Sequence, residues 1–366
     1  MEFTIGDLSN SIFASLGVSD CRNDLKIPAR EGSRDCLVLV DGLGKNVVDE
    51  FANKRNFVTE FEYLRTLSAT FPSTTAASLT TLGTGLPVGE HGMVGYTMRV
   101  PHSGKPERIL NALKWDERVD PEIWQPNETL FQRAMRSGIA VSHIAAARYE
   151  NSGFTRAALR GAAYKKANTI SEQITATVEA LRQPGSFAYV YLNDVDEASH
   201  AHGMGSERFL KALEKVEQLI SGLMRELPSG IRIWITSDHG MINKQEHVVI
   251  GKNNDLLNDV NLMAGEPRVR YLYISPDAIE EVKSRWLEFF GPKITLKTRS
   301  EAISEKLFGE TVSEKYIERI GDLIIIANDE LILVEQEREM LQIAMVGHHG
   351  GLTKNEVEIP LLLLET

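Results

Sequence analysis

Three continuous apolar runs along the chain predict buried strands. They lie at residues 35–40, 187–192 and 231–236. Runs of this kind are typical of strands that are covered on both faces, as in a parallel sheet. Each run is followed at once by a short acidic segment, and the acidic residues of interest are Asp41, Asp196 and Asp238.

Helical patterns fill the stretches between these runs, at residues 128–137, 169–183 and 206–226. The alternation of strand and helix indicates an α/β fold with a mostly parallel central sheet and helices on both faces. In such sheets ligands bind beyond the carboxyl ends of the strands. The acidic strand ends therefore predict one shared site.

The pattern changes between residues 242 and 340. This stretch contains a strand pattern at 270–274, a helix pattern at 277–290, a second strand pattern at 294–298 and then charged helical segments. We interpret residues 242–340 as a small inserted α/β cap. The chain then returns to the core at 342–347 and ends in a strand at 359–364, so residues 1–241 and 341–366 form the predicted core.

The composition is that of an ordinary globular protein. Of the 366 residues, 25% are charged and 42% are hydrophobic, which is unlike a disordered or a membrane chain. The formal net charge is −11. This charge disfavours extended binding to nucleic acid, because such binding needs many Lys and Arg residues. A small substrate is favoured instead.

No segment has the pattern of an export leader or a membrane span. The first twenty residues lack a basic leader, and the aliphatic runs are too short to cross a bilayer. The two cysteines, Cys21 and Cys36, are too few for a disulfide framework. We therefore expect a cytoplasmic protein with no membrane partner.

Aspartate and histidine residues cluster at the predicted strand ends. Asp196 and His200 are four residues apart, so a helical turn would direct both to the same side, and Asp238 is followed by His239. Taken singly, such an aspartate is more often a helix cap, and such a histidine is more often a surface residue. The whole set favours metal binding, because capping needs no histidine.

The ligand types indicate which metals to expect. Mixed carboxylate and imidazole ligands favour zinc or manganese over calcium or magnesium, which prefer oxygen alone. We expect two divalent metal ions, with zinc as the first choice and manganese as the alternative. Two nearby cations suit a phosphoryl group, since one activates the nucleophile and the other stabilises the leaving oxygen.

A segment rich in small residues and threonine lies at residues 71–92. A helix that opens near Thr74 or Thr75 would direct unpaired backbone N–H groups and its positive dipole end at an anion such as phosphate. The alternative is that Ser73 or Thr74 merely caps this helix. With metals nearby, a threonine hydroxyl becomes a candidate nucleophile, because a divalent metal can activate it.

Five short motifs follow one another along the chain. They are VDGLG at 40–44, FPSTTAAS at 71–78 with TGLPVGEHG after it, DEASHAHG at 196–203, SDHGM at 237–241 and HHGG at 348–351. In order and combination they resemble the type I phosphodiesterase and nucleotide pyrophosphatase branch of the alkaline phosphatase superfamily. The resemblance extends from residue 37 to residue 364 and leaves the predicted cap largely uncovered.

The resemblance implies a role for each residue of the predicted site. Thr75 would be the nucleophile and would form a covalent phospho-threonine ester that water later cleaves. The metal that also binds the Thr75 oxygen would be held by Asp41, Asp238 and His239. The other metal would be held by Asp196, His200 and His349.

Some positions of the motifs need a choice or depart from the family. His349 is chosen over His348 because it directly precedes Gly-Gly, and His91 and His202 are expected to be structural or outside the ligand set. The pyrophosphatase members carry an asparagine that donates to the phosphate, and Tyr96 occupies that place here. Either the Tyr96 hydroxyl donates instead, or the metals and the backbone N–H of Thr75 suffice.

We therefore predict a two-metal hydrolase of phosphodiester or nucleotide pyrophosphate bonds that acts on a small phosphoester such as a nucleotide. A phosphonate or phosphomonoester hydrolase is the rival, since a fold alone does not determine the reaction. A non-catalytic metal-binding scaffold is the alternative of another class, and the intact nucleophile and ligand set argue against it. We interpret a connector after a predicted strand as solvated surface rather than site; it contains Arg148, Tyr149, Phe154 and Arg156.

Overall fold

The computed structural model describes residues 3–30, 32–51, 61–336 and 338–366. Residues 1–2, 31, 52–60 and 337, which belong to the predicted core and cap, lie outside the described residues. Within the described ranges a seven-stranded sheet forms the centre of the protein. From one edge to the other its strands are β2 (Glu62–Ser68), β17 (Glu358–Glu365), β8 (Ile231–Thr236), β1 (Arg34–Val40), β7 (Ser186–Leu192), β5 (Ala140–Ala145) and β6 (Ala163–Lys166).

Most of this sheet is parallel. Strands β8, β1, β7, β5 and β6 run in the same direction, whereas β17 is antiparallel to both β8 and β2. The prediction of a mostly parallel α/β sheet is confirmed. The three apolar runs appear as β1, β7 and β8, each within one residue of its predicted bounds.

Helices connect the strands of the sheet. In the described part of the chain they are α1 (Ile5–Ser15), α2 (Lys45–Phe51), α3 (Thr75–Thr84), α4 (Val88–His91), α5 (Pro121–Trp124), α6 (Leu130–Arg136), α7 (Gly153–Ala158), α8 (Ile170–Ala180), α9 (Asp194–His202), α10 (Glu207–Glu226), α11 (Ile279–Phe290), α12 (Arg299–Ser304) and α13 (Lys354–Val357). None of these helices has both the length and the apolar character that crossing a membrane requires.

The helices cover both faces of the sheet. Successive side chains of a strand point to opposite faces, and in β1 this separates two hydrophobic clusters. Leu37 and Leu39 pack with residues of α1, α3 and α6, whereas Val38 and Val40 pack with residues of α8 and α10. The continuous apolar run of β1 is therefore explained by burial on both sides.

Side-chain caps begin the three helices that the sequence predicted between the strands. Thr129, Thr169 and Ser206 each accept a hydrogen bond from the backbone N–H three residues further on. Helix α8 ends at Ala180, three residues before the predicted end. A proline follows at position 184, and the residue directly before a proline, which is the last residue of the predicted helix, disfavours the helical conformation.

A smaller antiparallel sheet lies within the predicted cap. Its strands are β11 (Val260–Glu266), β12 (Val269–Ile274), β14 (Leu323–Ala327) and β13 (Ile294–Thr298). Three two-stranded pairs join β10 (Glu246–Ile250) to β15 (Leu331–Glu335), β9 (Ile242–Asn243) to β16 (Gly347–His348), and β3 (Thr97–Val100) to β4 (Arg108–Asn111).

The predicted helical segments after residue 298 are wrong in part. Helix α12 is present, but β14 and β15 are strands. One face of these strands, with Leu323 and Ile325 of β14 and Leu333 of β15, is buried in one hydrophobic cluster with Trp286 and Phe290 of α11, and this burial decides their structure. The predicted return to the core at 342–347 contains a short 3-10 turn, Met340–Ile343, followed by β16. The division into core and cap stays a prediction.

Candidate metal centre

The three acidic strand ends lie side by side in the structure. Asp41 follows β1, Asp238 lies just beyond β8, and Asp196 lies in the first turn of α9 directly after β7. They are neighbours because β1 lies between β7 and β8 in the sheet. The close approach needs a glycine after Asp41, since Gly42 has φ 75° and a Cβ there would lie 3.2 Å from the Cα of Asp196.

His239 joins Asp41 and Asp238 in a first group of possible ligands. Its Nε2 lies 3.3 Å from Oδ1 of Asp41 and 3.5 Å from Oδ2 of Asp238. One ligand atom from each of the three residues lies within 4.8 Å of the others. All three side chains are buried.

A second group forms around Asp196. His200 is one helical turn further along α9, and its Nε2 lies 3.3 Å from Oδ1 of Asp196. His349 approaches the same oxygen at 3.8 Å. Ligand atoms of Asp196, His349 and His239 lie within 4.8 Å of one another, so His239 is close to both groups.

The three histidines share one orientation. In each ring Nδ1 faces a backbone carbonyl, that of Gly347 for His200, Gly240 for His239 and Ser73 for His349, at 2.8 to 3.1 Å. A neutral ring that donates from Nδ1 has its Nε2 lone pair free. Metal-bound histidines are typically fixed in this way by a second hydrogen bond.

The buried carboxylates of the cluster favour the binding of positive charge. Burial, and then the negative charge of Asp41, raise the pKa of Asp238 to about 7. Burial likewise raises the pKa of Asp41 and of Asp196. Burial opposes the charged form of His239, but the carboxylates of Asp238 and Asp41 outweigh it and raise the pKa of His239 to about 10.

Unpartnered oxygens give the same indication. Asp41 Oδ1, Asp196 Oδ1 and Asp238 Oδ2 are buried and make no hydrogen bond among the described residues, and a histidine Nε2 lies 3.3 to 3.5 Å from each. Buried polar atoms are normally paired, and a cation supplies what these oxygens lack. The donor set therefore fits divalent metal ions that accept carboxylate and imidazole ligands.

Thr75 faces this cluster from the start of α3. Its Oγ1 lies 3.2 Å from Nε2 of His239. Thr74 occupies the N-cap position, but its side chain makes no capping hydrogen bond. The first N–H groups of α3 are thus free of a side-chain cap, as an anion-binding helix start requires.

The remaining histidines of the motifs lie elsewhere. His348 is buried, and its Nε2 faces the carbonyl of Met345 at 3.4 Å. His91 is buried between the Thr81 hydroxyl and the backbone N–H of Met93, and His202 is exposed. The structure therefore brings together Asp41, Thr75, Asp196, His200, Asp238, His239 and His349.

The sequence also matches a known family. Residues 36–352 match the family model described as type I phosphodiesterase / nucleotide pyrophosphatase. The chain belongs to this family. The family is part of the alkaline phosphatase superfamily, as the motifs predicted, and its members are hydrolases of phosphoric esters.

Curated relatives match part of the chain. Ectonucleotide pyrophosphatase/phosphodiesterase family member 1 of Mus musculus is 25% identical over 220 residues, which are 56% of this chain and 23% of the relative. An uncharacterised pyrophosphatase/phosphodiesterase of Schizosaccharomyces pombe is 27% identical over 199 residues, 51% of this chain and 40% of the relative. The matches therefore span less than half the length of these relatives.

Solved structures of the family share the fold. Murine ectonucleotide pyrophosphatase/phosphodiesterase 5 superposes with a TM-score of 0.69 at 15% identity, covering 91% of this chain and 88% of the murine chain. The human counterpart gives a TM-score of 0.69 at 17% identity, covering 91% and 87%. The predicted alkaline phosphatase-like fold is confirmed at this level.

A cavity of about 470 Å³ opens beside Thr75 and Asp41 in this phosphodiesterase-family chain. Tyr96 lies on its wall and is half-buried. Arg148, Tyr149 and Phe154 also line it. The interpretation of this connector as solvated surface is wrong for Phe154, which is buried. Arg148 and Arg156 are exposed and paired with Glu197 and Glu122.

Other wall residues gave no signal as site residues in the sequence. They are His143 of β5 and Tyr189 and Tyr191 of β7, and their sequence pattern is that of ordinary core residues. Tyr191 donates its hydroxyl to Oδ2 of Asp41 and so orients a predicted metal ligand. A strand pattern shows which residues alternate, but it does not show which face adjoins a site.

Proposed function

We propose that the chain hydrolyses a phosphodiester or nucleotide pyrophosphate bond, with Thr75 as the nucleophile. One observation carries this proposal: the Thr75 hydroxyl lies 3.2 Å from His239, the residue close to both candidate ligand groups. The alternative that the chain is a non-catalytic metal-binding scaffold has no support from this geometry, since a scaffold needs no hydroxyl at that point.

We propose two divalent metal ions at this centre, zinc first and manganese as the alternative. Asp41, Asp238, His239 and the Thr75 oxygen would hold one, and Asp196, His200 and His349 would hold the other. The three unpartnered carboxylate oxygens support this assignment. Bound divalent ions would lower the pKa of the hydroxyl and offset the charge of the phosphoryl group.

The residues of the chain then have separate tasks. Thr75 Oγ1 attacks phosphorus, the bond from phosphorus to the leaving oxygen breaks, and the proton of the Thr75 hydroxyl passes through solvent to the leaving oxygen. The free N–H groups and the dipole at the start of α3 stabilise the anionic group. Water then attacks the phospho-threonine ester, and the Thr75 oxygen takes back a proton.

A nucleotide is a reasonable substrate class for this site. A related structure, an inactive variant of murine ectonucleotide pyrophosphatase/phosphodiesterase 5, is a complex with AMP, although its 15% identity shows only a shared fold. The aromatic wall of the cavity suits a planar ring. Tyr96 stands where the pyrophosphatase members carry an asparagine, and this difference supports phosphonate or phosphomonoester hydrolysis as the second candidate reaction.

We also propose a cytoplasmic location, because the two cysteines are unpaired.

A substrate panel tests the proposal. Zinc-loaded protein is assayed with bis-(p-nitrophenyl) phosphate, p-nitrophenyl phosphate, p-nitrophenyl phenylphosphonate and p-nitrophenyl sulfate. We expect the diester to be cleaved fastest and activity to disappear after chelation. Faster cleavage of the monoester or phosphonate would establish the second candidate, and full activity of metal-free protein would contradict the metal centre.

A further inference from the structure

His143 and Tyr189 lie on the wall of the 470 Å³ cavity, and each carries a buried polar atom that has no hydrogen-bond partner in the described part of the chain. The atoms are Nδ1 of His143 and the hydroxyl of Tyr189. His143 is 3% exposed and Tyr189 is fully buried. Among the described residues neither atom has a hydrogen-bond partner. Thr75 and Asp41 line the same cavity.

The sheet holds the two side chains next to each other. His143 of β5 is directly opposite Tyr189 of β7 in the ladder, and Tyr164 of β6 is opposite His143 on the other side. The ring centroids of His143 lie 5.0 Å from Tyr189 and 4.7 Å from Tyr164. The hydroxyl of Tyr164 is occupied, because it donates to the carbonyl of Ala146. His143 and Tyr189 are thus rigidly placed.

Both groups are uncharged at neutral pH. Burial lowers the pKa of His143 to about 3 and raises the pKa of Tyr189 well above its usual value. The basic residues of the cavity wall lie closer to solvent: Lys114 is exposed, and Arg148 is paired with Glu197 at 2.6 Å. The acidic wall residues Asp41 and Asp196 belong to the candidate metal centre. The phenol offers a donor, and the neutral imidazole offers a donor and an acceptor.

Unpaired polar atoms are unusual in a protein core. Nearly all buried polar groups have a partner, and those that do not call for an explanation. Packing alone would be served as well or better by apolar residues of the same shape. A ligand group that completes the hydrogen bonds of His143 and Tyr189 would explain both residues at once.

We infer that His143 and Tyr189 form a subsite that binds an uncharged hydrogen-bonding group carried on an aromatic ring of the substrate. This rests on the proposed function, because the phosphate of the same molecule would lie at Thr75. The ring would pack among Tyr149, Phe154 and Tyr191 on the cavity wall. Such a subsite rejects a ligand that lacks the polar group, because it would leave both atoms unpaired.

A matched pair of ligands tests the subsite. Benzyl phosphate and 4-carbamoylbenzyl phosphate differ only in one neutral carboxamide. Their binding to the full-length, zinc-loaded Thr75→Ala protein is measured by calorimetry, so that no turnover interferes. We expect the carbamoyl ligand to bind on the order of tenfold more tightly, as one or two added hydrogen bonds allow.

Variants then locate the origin of the preference. Tyr189→Phe removes one hydroxyl, and His143→Leu removes the imidazole; we expect the affinity ratio of the two ligands to fall towards one in each. Tyr63→Phe, which removes an exposed hydroxyl that bonds Thr66 on the sheet edge, keeps the ratio. Unfolding temperatures of Tyr189→Phe and His143→Leu should not fall by more than a few degrees, because each removes a buried polar atom without a partner.

The outcomes separate this inference from the proposed function. Equal affinity for the two ligands, or a preference that persists in both variants, would overturn the subsite. Binding of benzyl phosphate itself reports the phosphate-binding centre, so its complete absence counts against the proposed function. A tenfold ratio that both variants abolish supports the subsite.

Discussion

Oγ1 of Thr75 lies 3.2 Å from Nε2 of His239, and the same nitrogen lies 3.3 Å from Oδ1 of Asp41. The candidate nucleophile therefore meets the candidate ligands at a single histidine. His239 also stacks on His349, with ring centroids 3.6 Å apart and planes 9° from parallel. His239 is therefore close to both ligand groups. Substitutions in each group can be compared for their effect on metal binding.

The neighbouring histidines of the HHGG motif should differ in metal binding. His349→Ala is expected to reduce the zinc content from about two ions per chain to about one, because it removes one ligand of the second metal. His348→Ala is the matched control, since His348 bonds a backbone carbonyl instead. Metal content after dialysis checks this, and equal loss in both variants would argue against the choice of His349.

Zinc affinity should rise with pH. In the metal-free protein the pKa of Asp238 is raised to about 7 and that of His239 to about 10, so both hold protons at pH 6. Zinc must displace these protons. Calorimetry in buffers of different ionisation enthalpy should detect about one proton fewer released at pH 8 than at pH 6. Identical proton release at both pH values would be inconsistent with this cluster.

The stability of the metal-free protein should fall over the same range. The folded pKa of Asp238 lies above the value of about 3.9 for an unfolded aspartate, so the folded chain binds more protons. Its contribution to stability is present below the unfolded pKa and is lost as the pH rises through about 7. The unfolding temperature of chelated protein should drop between pH 5 and pH 8, and Asp238→Asn should lessen the drop.

The hydrogen bond from Tyr191 to Asp41 should strengthen metal binding. Tyr191→Phe removes only the hydroxyl that donates to Oδ2 of Asp41. Loss of a partner that orients a ligand typically costs about tenfold or more in metal affinity. Competition with a chelator measures this, with Tyr63→Phe as the control. Unchanged affinity in Tyr191→Phe would mean that Asp41 needs no such support.

The buried ion pair between Arg268 and Glu356 should be important for the stability of the folded protein. Arg268 donates from Nε and Nη2 to both oxygens of Glu356 at 2.9 Å, and both side chains are fully buried. Glu356→Ala leaves the guanidinium buried without its partner, which costs about 3–5 kcal/mol. Urea unfolding checks this against Glu207→Ala, which breaks an exposed pair with Lys211 and should leave the urea midpoint nearly unchanged, because solvent screens such a pair.

Residue patterns were sufficient for the core of the fold and for the convergence of the acidic residues. Burial on both faces produces the continuous apolar runs of β1, β7 and β8, and adjacent parallel strands bring Asp41 and Asp238 to the same edge. The sequence does not predict strands β14 and β15, because the charged residues beside them favour a helix. Their burial against Trp286 depends on contacts distant in sequence.

The cavity wall could not be predicted for a similar reason. His143 and Tyr189 lie opposite each other only after β5 and β7 have paired, and nothing local distinguishes them from ordinary core residues. Phe154 belongs to α7, whose position over the sheet is set by packing. Ligand candidates at strand ends were predictable because chemistry and strand position coincide there, whereas the walls depend on tertiary packing.

The most direct measurement of the central claim is the kcat/KM of Thr75 variants with bis-(p-nitrophenyl) phosphate under saturating zinc. Thr75→Ala should lose at least about a thousandfold, since removal of a nucleophile leaves only binding and electrostatic effects. Thr75→Ser, which keeps a hydroxyl, should retain measurable activity above that of the alanine variant. Thr75→Ala protein with wild-type kcat/KM and a full zinc content would contradict the assignment of Thr75 as the nucleophile.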